Sequence, residues 1–163
     1  MTVINGLPAH VLLVHFVVVL VPLTALLEIV CGLWPAARRG HLLWLTLLLA
    51  AGTMALTPLT INAGGWLYDL RPSASPILQR HAELGSAMNY YSAALLAVAI
   101  VLVIFRVAER RFGKSHMIAN ILVAILVLGV GISALIQIYR VGDAGSQSVW
   151  SNEIAHLKKA PSG

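Results

Sequence analysis

Four apolar runs, at about 10–33, 41–63, 84–107 and 117–139, occupy most of this chain and decide what its solvent must be. Each holds the ~20 residues that a helix rising about 1.5 Å per residue needs to cross a ~30 Å hydrocarbon layer. Backbone N–H and C=O groups find no water there, so a spanning segment must be a helix that satisfies its own hydrogen bonds. Of 163 residues, 59% are apolar and 10% charged, against ~25% charged in a soluble domain. A water-soluble fold of this size has too little interior to hide so much apolar surface. The expectation is an all-α, polytopic membrane protein: one domain over 1–163, a four-transmembrane-helix antiparallel bundle whose first partner is the lipid bilayer.

Placement of the basic residues orients it. Arg38 and Arg39 fall between the first two runs, and Arg106, Arg110, Arg111 and Lys114 between the last two. If every run spans, both clusters share one side, which the positive-inside rule assigns to the cytoplasm. Both termini, the loop over 64–83 and the tail over 141–163 then face outward, N-out and C-out, in a bacterial inner membrane. This topogenic role accounts for the net charge of +5, so no nucleic-acid partner is expected. The first dozen residues carry no basic segment and the first run is too long for a signal peptide's apolar core, so cleavage is not expected. Cys31 is the single cysteine; it allows no internal disulfide and reads as a packed thiol.

Local signals fill in the elements. Pro22 and Pro58 interrupt the first and second spans, and Trp34-Pro35 closes the first at an interface. Thr46, Thr53, Thr57, Thr60 and Gly64 lie within about 60° of one another on a helix, a small and polar stripe suited to a partner helix. Ser75-Pro76 reads as a helix N-cap followed by an N1 proline. Beyond Arg140, Trp150, Ile154 and Leu157 recur at helical spacing, which predicts a short amphipathic helix on the outer surface.

Polar side chains inside apolar runs are costly and mark functional sites by default. His15, Thr57, Thr60, Asn62, Asn89, Ser133 and Gln137 all fall toward the outer half, which predicts one outward-facing polar pocket; interhelical hydrogen bonding is the plainer account. His15 and His81 are its candidate imidazoles, either as axial ligands of a b-type haem with Arg80 and Arg140 near the propionates, or as ligands of a divalent metal with Glu83 and Asp143. His10 lies about 140° around the helix from His15, so the two cannot share a face; His10 reads as an interfacial group, as do His41, His116 and His156. Glu28 reads as snorkelling to the inner headgroups. No Ser-His-Asp set, phosphate loop, Cys-x-x-Cys or His-Glu-x-x-His pattern occurs, so no reaction is assigned.

Several segments resemble a bacterial four-span family known as domain of unknown function 2231. Gly6-Leu7-Pro8-Ala9-His10-Val11-Leu12-Leu13-Val14-His15-Phe16 is similar to its double-histidine opening, Thr57-Pro58-Leu59-Thr60 with Gly64-Gly65-Trp66-Leu67 to its second span, and His81-Ala82-Glu83-Leu84-Gly85 to its third. The tail, Tyr139-Arg140-Val141-Gly142-Asp143-Ala144-Gly145 through Trp150, resembles its Gly-x-x-Val-Trp ending. The resemblance implies recurrent polar positions at His10, His15, His81 and Asp143. Val11 and Val17 stand where the family has proline, and Asp143 where it often has histidine. The expected role is a membrane protein whose histidine-bearing pocket takes a redox cofactor, metal or small ligand. Two other classes stay open: an accessory or assembly subunit of a larger complex, and a small transporter or proton-conducting unit completed by a homo-oligomer.

Overall fold

The computed structural model of the protein describes residues 3–4, 6–70, 73–113 and 117–159. Lys114 and His116 therefore lie outside the described residues. The chain opens with a minimal ladder, β1 (Val3–Ile4) paired with β2 (Leu7–Pro8). Its turn needs Gly6, whose φ of 81° is open to a residue without Cβ. Helices follow: α1 (Ala9–Leu33), the short α2 (Pro35–Arg39), α3 (Leu42–Asp69), α4 (Pro76–Phe112) and α5 (Met117–Lys159). Four of them, α1, α3, α4 and α5, are long and apolar enough to cross a membrane.

The helix ends follow local chemistry where the chain supplies it. Ser75 caps α4, its side chain accepting from Leu78 N–H at 3.2 Å, with Pro76 at the first helical position. At the other end Gly113 adopts a left-handed φ of 62° and its N–H reaches Glu109 O, a glycine C-cap. Two boundaries differ from the sequence expectation. The loop placed at 64–83 is shorter, because α3 runs through Pro58 to Asp69 and carries Gly64, Gly65, Trp66 and Tyr68 on the helix. The tail does not break after Arg140 to form a separate surface helix; α5 is one helix of 43 residues, about 64 Å at 1.5 Å per residue. Gly142 and Gly145 interrupt nothing because glycine keeps its N–H for the helical ladder, unlike proline. On the same stretch Gln147 Nε2 donates to Asp143 Oδ2 at 2.9 Å, an i, i+4 pair that supports it.

The four long helices pack in a ring, α1 against α3 and α5, α4 against α3 and α5, with α1 and α4 meeting more thinly across the centre. The interior divides into two apolar clusters along the helix axes. One joins Val17, Val21, Ala25, Met88, Leu95 and Ala134. The other joins Cys31, Leu43, Leu102 and Val127. Close approach of α1 and α5 uses glycine: Gly32 lies against Val127 and Gly131 against Ile29 and the Ala25 carbonyl. Large apolar side chains such as Phe16, Leu48, Ile104, Leu122 and Ile136 cover the outside, a surface suited to contact with lipid.

The threonine stripe is inward, with Thr46, Thr53, Thr57 and Thr60 all buried. Each hydroxyl donates to the carbonyl one turn back, those of Leu42, Leu49, Thr53 and Leu56. Only two also reach across: Thr53 meets Thr24 at 3.2 Å and Thr46 meets Cys31 Sγ at 3.7 Å. The stripe's main service is therefore to satisfy itself while staying small.

The arginine-rich end is tied together by a side chain whose sequence position suggests only a topogenic charge. Arg38 is fully buried. It donates to Glu109 Oε1 at 2.8 Å and Oε2 at 3.4 Å, to Asn120 Oδ1 at 2.9 Å, and to the carbonyls of Cys31 and Gly32. Its guanidinium sits 4.6 Å from the Phe105 ring centroid. One planar fork thus joins α1, α2, α4 and α5, a task that five fixed N–H donors suit. Arg39, Arg110 and Arg111 remain exposed.

Candidate functional site

At the other end of the molecule, the first turn of α1 decides which histidine faces the interior. Residues 10, 14, 17 and 21 lie on one face, and that face carries the buried Val17 and Val21. His10 therefore points between the helices. His15, rotated away, is exposed and its Nδ1 bonds back to the Val11 carbonyl of its own helix. The sequence pairing of His15 with His81 is thus replaced: the imidazole that meets His81 is His10. Their ring centroids are 6.4 Å apart with planes at 80°.

Both rings are seated by the same device. His10 Nδ1 lies 3.0 Å from the carbonyl of Thr60 on α3, and the ring packs on Gly64 one turn further along. His81 Nδ1 lies 3.0 Å from the carbonyl of Val141 on α5, and its ring packs on Gly145 one turn further along. A Cβ on Gly64 would stand 2.8 Å from His10 Nδ1, and one on Gly145 3.0 Å from His81 Cε1. A carbonyl only accepts, so each Nδ1 that faces one is the donor, and the neutral ring then keeps its lone pair on Nε2. That is the arrangement by which proteins fix a ligating imidazole's tautomer and direction. The two helix pairs, α1 with α3 and α4 with α5, repeat the motif, although no repeat is visible in the residues themselves.

A cavity of about 290 Å³ opens beside the pair. Its polar wall is His10, Thr57, Thr60, Tyr68, His81 and Ser86, and its floor is aliphatic apart from Met88. Gly64, Gly65 and Gly85 line it as well, so backbone rather than side chain bounds part of the space. No carboxylate is among the lining residues, and among the described residues no three His, Cys, Asp or Glu side chains come together to hold a metal ion.

The other sequence-nominated residues distribute as follows. Thr57 and Thr60 line the cavity. Arg80, Glu83, Asn62 and Arg140 are exposed, and Asp143 is exposed with Gln147 as its partner. Glu83 and Asp143 therefore do not converge with His15 and His81 on a metal site; each faces outward from its own helix. Ser133 donates to the Val130 carbonyl within α5. Gln137 is buried and donates to the Leu84 carbonyl at 2.9 Å, a strut between α5 and α4. Asn89 is half-buried and its Oδ1 has no hydrogen-bond partner. Sequence reasoning missed the role of Gly64, Gly145 and Met88. The one available signal was that Gly64 shares the threonine stripe.

Comparison with protein-family models, curated proteins and solved structures finds no match to this chain in any of the three.

Proposed function

We propose that the protein is an outward-facing haem-binding, electron-carrying membrane protein, in which His10 and His81 would hold a b-type haem. The observation that supports this is the imidazole pair: centroids 6.4 Å apart, each Nδ1 on a backbone carbonyl. With each Nδ1 held as a donor, both rings keep Nε2 as the ligating nitrogen, the atom that would hold a haem iron. A haem brings four of its own ligands, so a site with two imidazoles and no third ligating group is sufficient for it. Gly64, Gly65 and Gly85 bound part of the cavity with backbone, and the exposed Arg80 and Arg140 are the chain neighbours of His81 and of its carbonyl partner Val141. When bound, such a group accepts and releases one electron; the chain's part is to hold the two rings and exclude water from one side.

The same reading takes the four helices as an antiparallel bundle in a bacterial inner membrane, with both termini outside. It keeps the chain with the domain of unknown function 2231 family. The exposed basic residues at the Arg38 end support that orientation through the positive-inside rule. A second occupant is a cuprous ion, which two imidazoles alone can hold; Met88, buried and lining the same cavity, lies two turns of α4 from His81 and adds a soft, polarisable wall.

Absorbance and elemental analysis on one detergent-purified preparation test the reading. The expected result is a Soret band with about one iron per chain, lost in His10→Ala and in His81→Ala but kept in His15→Ala. Copper without the band would transfer the site to the cuprous reading. A colourless, metal-free protein from haem-replete cells would overturn both and favour an accessory subunit.

A further inference from the structure

Glu28 is fully buried on α1, one turn from Thr24 on one side and Cys31 on the other, between the two apolar clusters. Neither of its carboxyl oxygens has a hydrogen-bond partner among the described residues. It does not snorkel to the inner headgroups, as the sequence suggested, because its face of α1 is the one packed against the other helices.

The neighbouring donors are already used. Thr53 gives its hydroxyl hydrogen to the Leu49 carbonyl, so in the Thr24–Thr53 contact the hydrogen is that of Thr24. Thr46 gives its hydrogen to the Leu42 carbonyl, so the Cys31 thiol donates to Thr46. The buried cation at this end, Arg38 of α2, is committed to Glu109 of α4 and Asn120 of α5. Among the described residues no other charged group from α3, α4 or α5 pairs with Glu28. An ionised carboxylate needs several donors or a counter-ion to survive out of water. Among the described residues no such donor or counter-ion meets this side chain.

We propose that Glu28 is a proton-binding site within the membrane-spanning part of the protein, the carboxyl holding its own hydrogen as a neutral acid. Nothing in this depends on a haem in the outer cavity. The site's ligand is a single proton.

Infrared spectroscopy of the full-length protein in an ester-free detergent at neutral pH tests it. The expected spectrum has a carboxylic-acid C=O band above amide I that shifts in deuterium oxide and is lost in Glu28→Gln. Absence of the band in the wild type overturns the proposal, as does its persistence in a Glu28→Gln protein with wild-type helicity. Should Glu28→Gln fail to fold, carbon-13 labelling of glutamate decides: a band that does not move with the label is not a glutamic acid, and the proposal fails.

Discussion

Gly64 and Gly145 do at residue scale what neither histidine does alone. Each lets an imidazole reach the carbonyl of the residue four positions earlier, a group already accepting in its own helix. An alanine at Gly64 would force the His10 ring to shift, since its Cβ falls 2.8 Å from Nδ1, and one at Gly145 would press the His81 ring back by a few tenths of an ångström from a 3.0 Å contact. If the pair holds a haem as proposed, Gly64→Ala and Gly145→Ala should lower its affinity by about 10–100-fold, the usual effect of losing a partner that orients a ligand. Haem titration of the apoprotein, followed at the Soret band, measures it. Gly129→Ala is the control, because nothing lies within 4 Å of the added Cβ; it should leave the titration unchanged and gain up to about 1 kcal/mol of helix stability. His10 and His15 make the complementary point. The sequence nominated His15 as the ligand and read His10 as an interfacial group; the run around them is apolar on every side, so its composition did not say which face turns inward.

Among the elements, α5 matters most, because its unbroken path past Arg140 brings Val141 and Gly145 to His81. A helix that ended with the apolar run would leave that imidazole without a seat. Gly142→Pro tests this directly: the ring would clash with the Ile138 carbonyl, at a cost of about 3 kcal/mol in a helix interior. It should also release His81, so that both thermal stability and the haem spectrum change. Gly142→Ala, with open space around it, should alter neither spectrum nor ligand content. An unchanged spectrum in Gly142→Pro would show that the segment after Ile138 is dispensable to the site. The α3 extension has a similar role, carrying Thr60 and Gly64 past Pro58 to the level of His10. The Ser75-Pro76 start of α4 was legible because a cap is a local device. The ends of α3 and α5 were not, because continuation of a helix into water depends on the neighbours it meets there.

For the molecule as a whole, the two ends have opposite chemistry. One is closed by the Arg38–Glu109–Asn120 lock, the other is open at the imidazole pair. Arg38→Met should destabilise the protein by up to about 3–5 kcal/mol because it leaves the buried Glu109 with only the longer, 3.9 Å contact to Arg106, whereas Arg38→Met with Glu109→Leu should recover most of that loss. Thermal unfolding in detergent reports both; a double variant no better than the single would show that the helices need the guanidinium's carbonyl contacts instead. Four long apolar runs dictated helices of spanning length, since no other backbone form satisfies itself in hydrocarbon, and the threonine spacing dictated an inward stripe. Composition also concentrated the polar side chains toward one end. Which of them meet was left to tertiary packing. The rotation of α1 chose His10 over His15, and the passage of α5 beside α4 seated His81. The closeness of the Arg38 fork to Glu109 made a buried lock of a charge that sequence position alone marked as topogenic. Rotation and register between helices depend on contacts between residues 50 to 82 positions apart, and no local pattern encodes them.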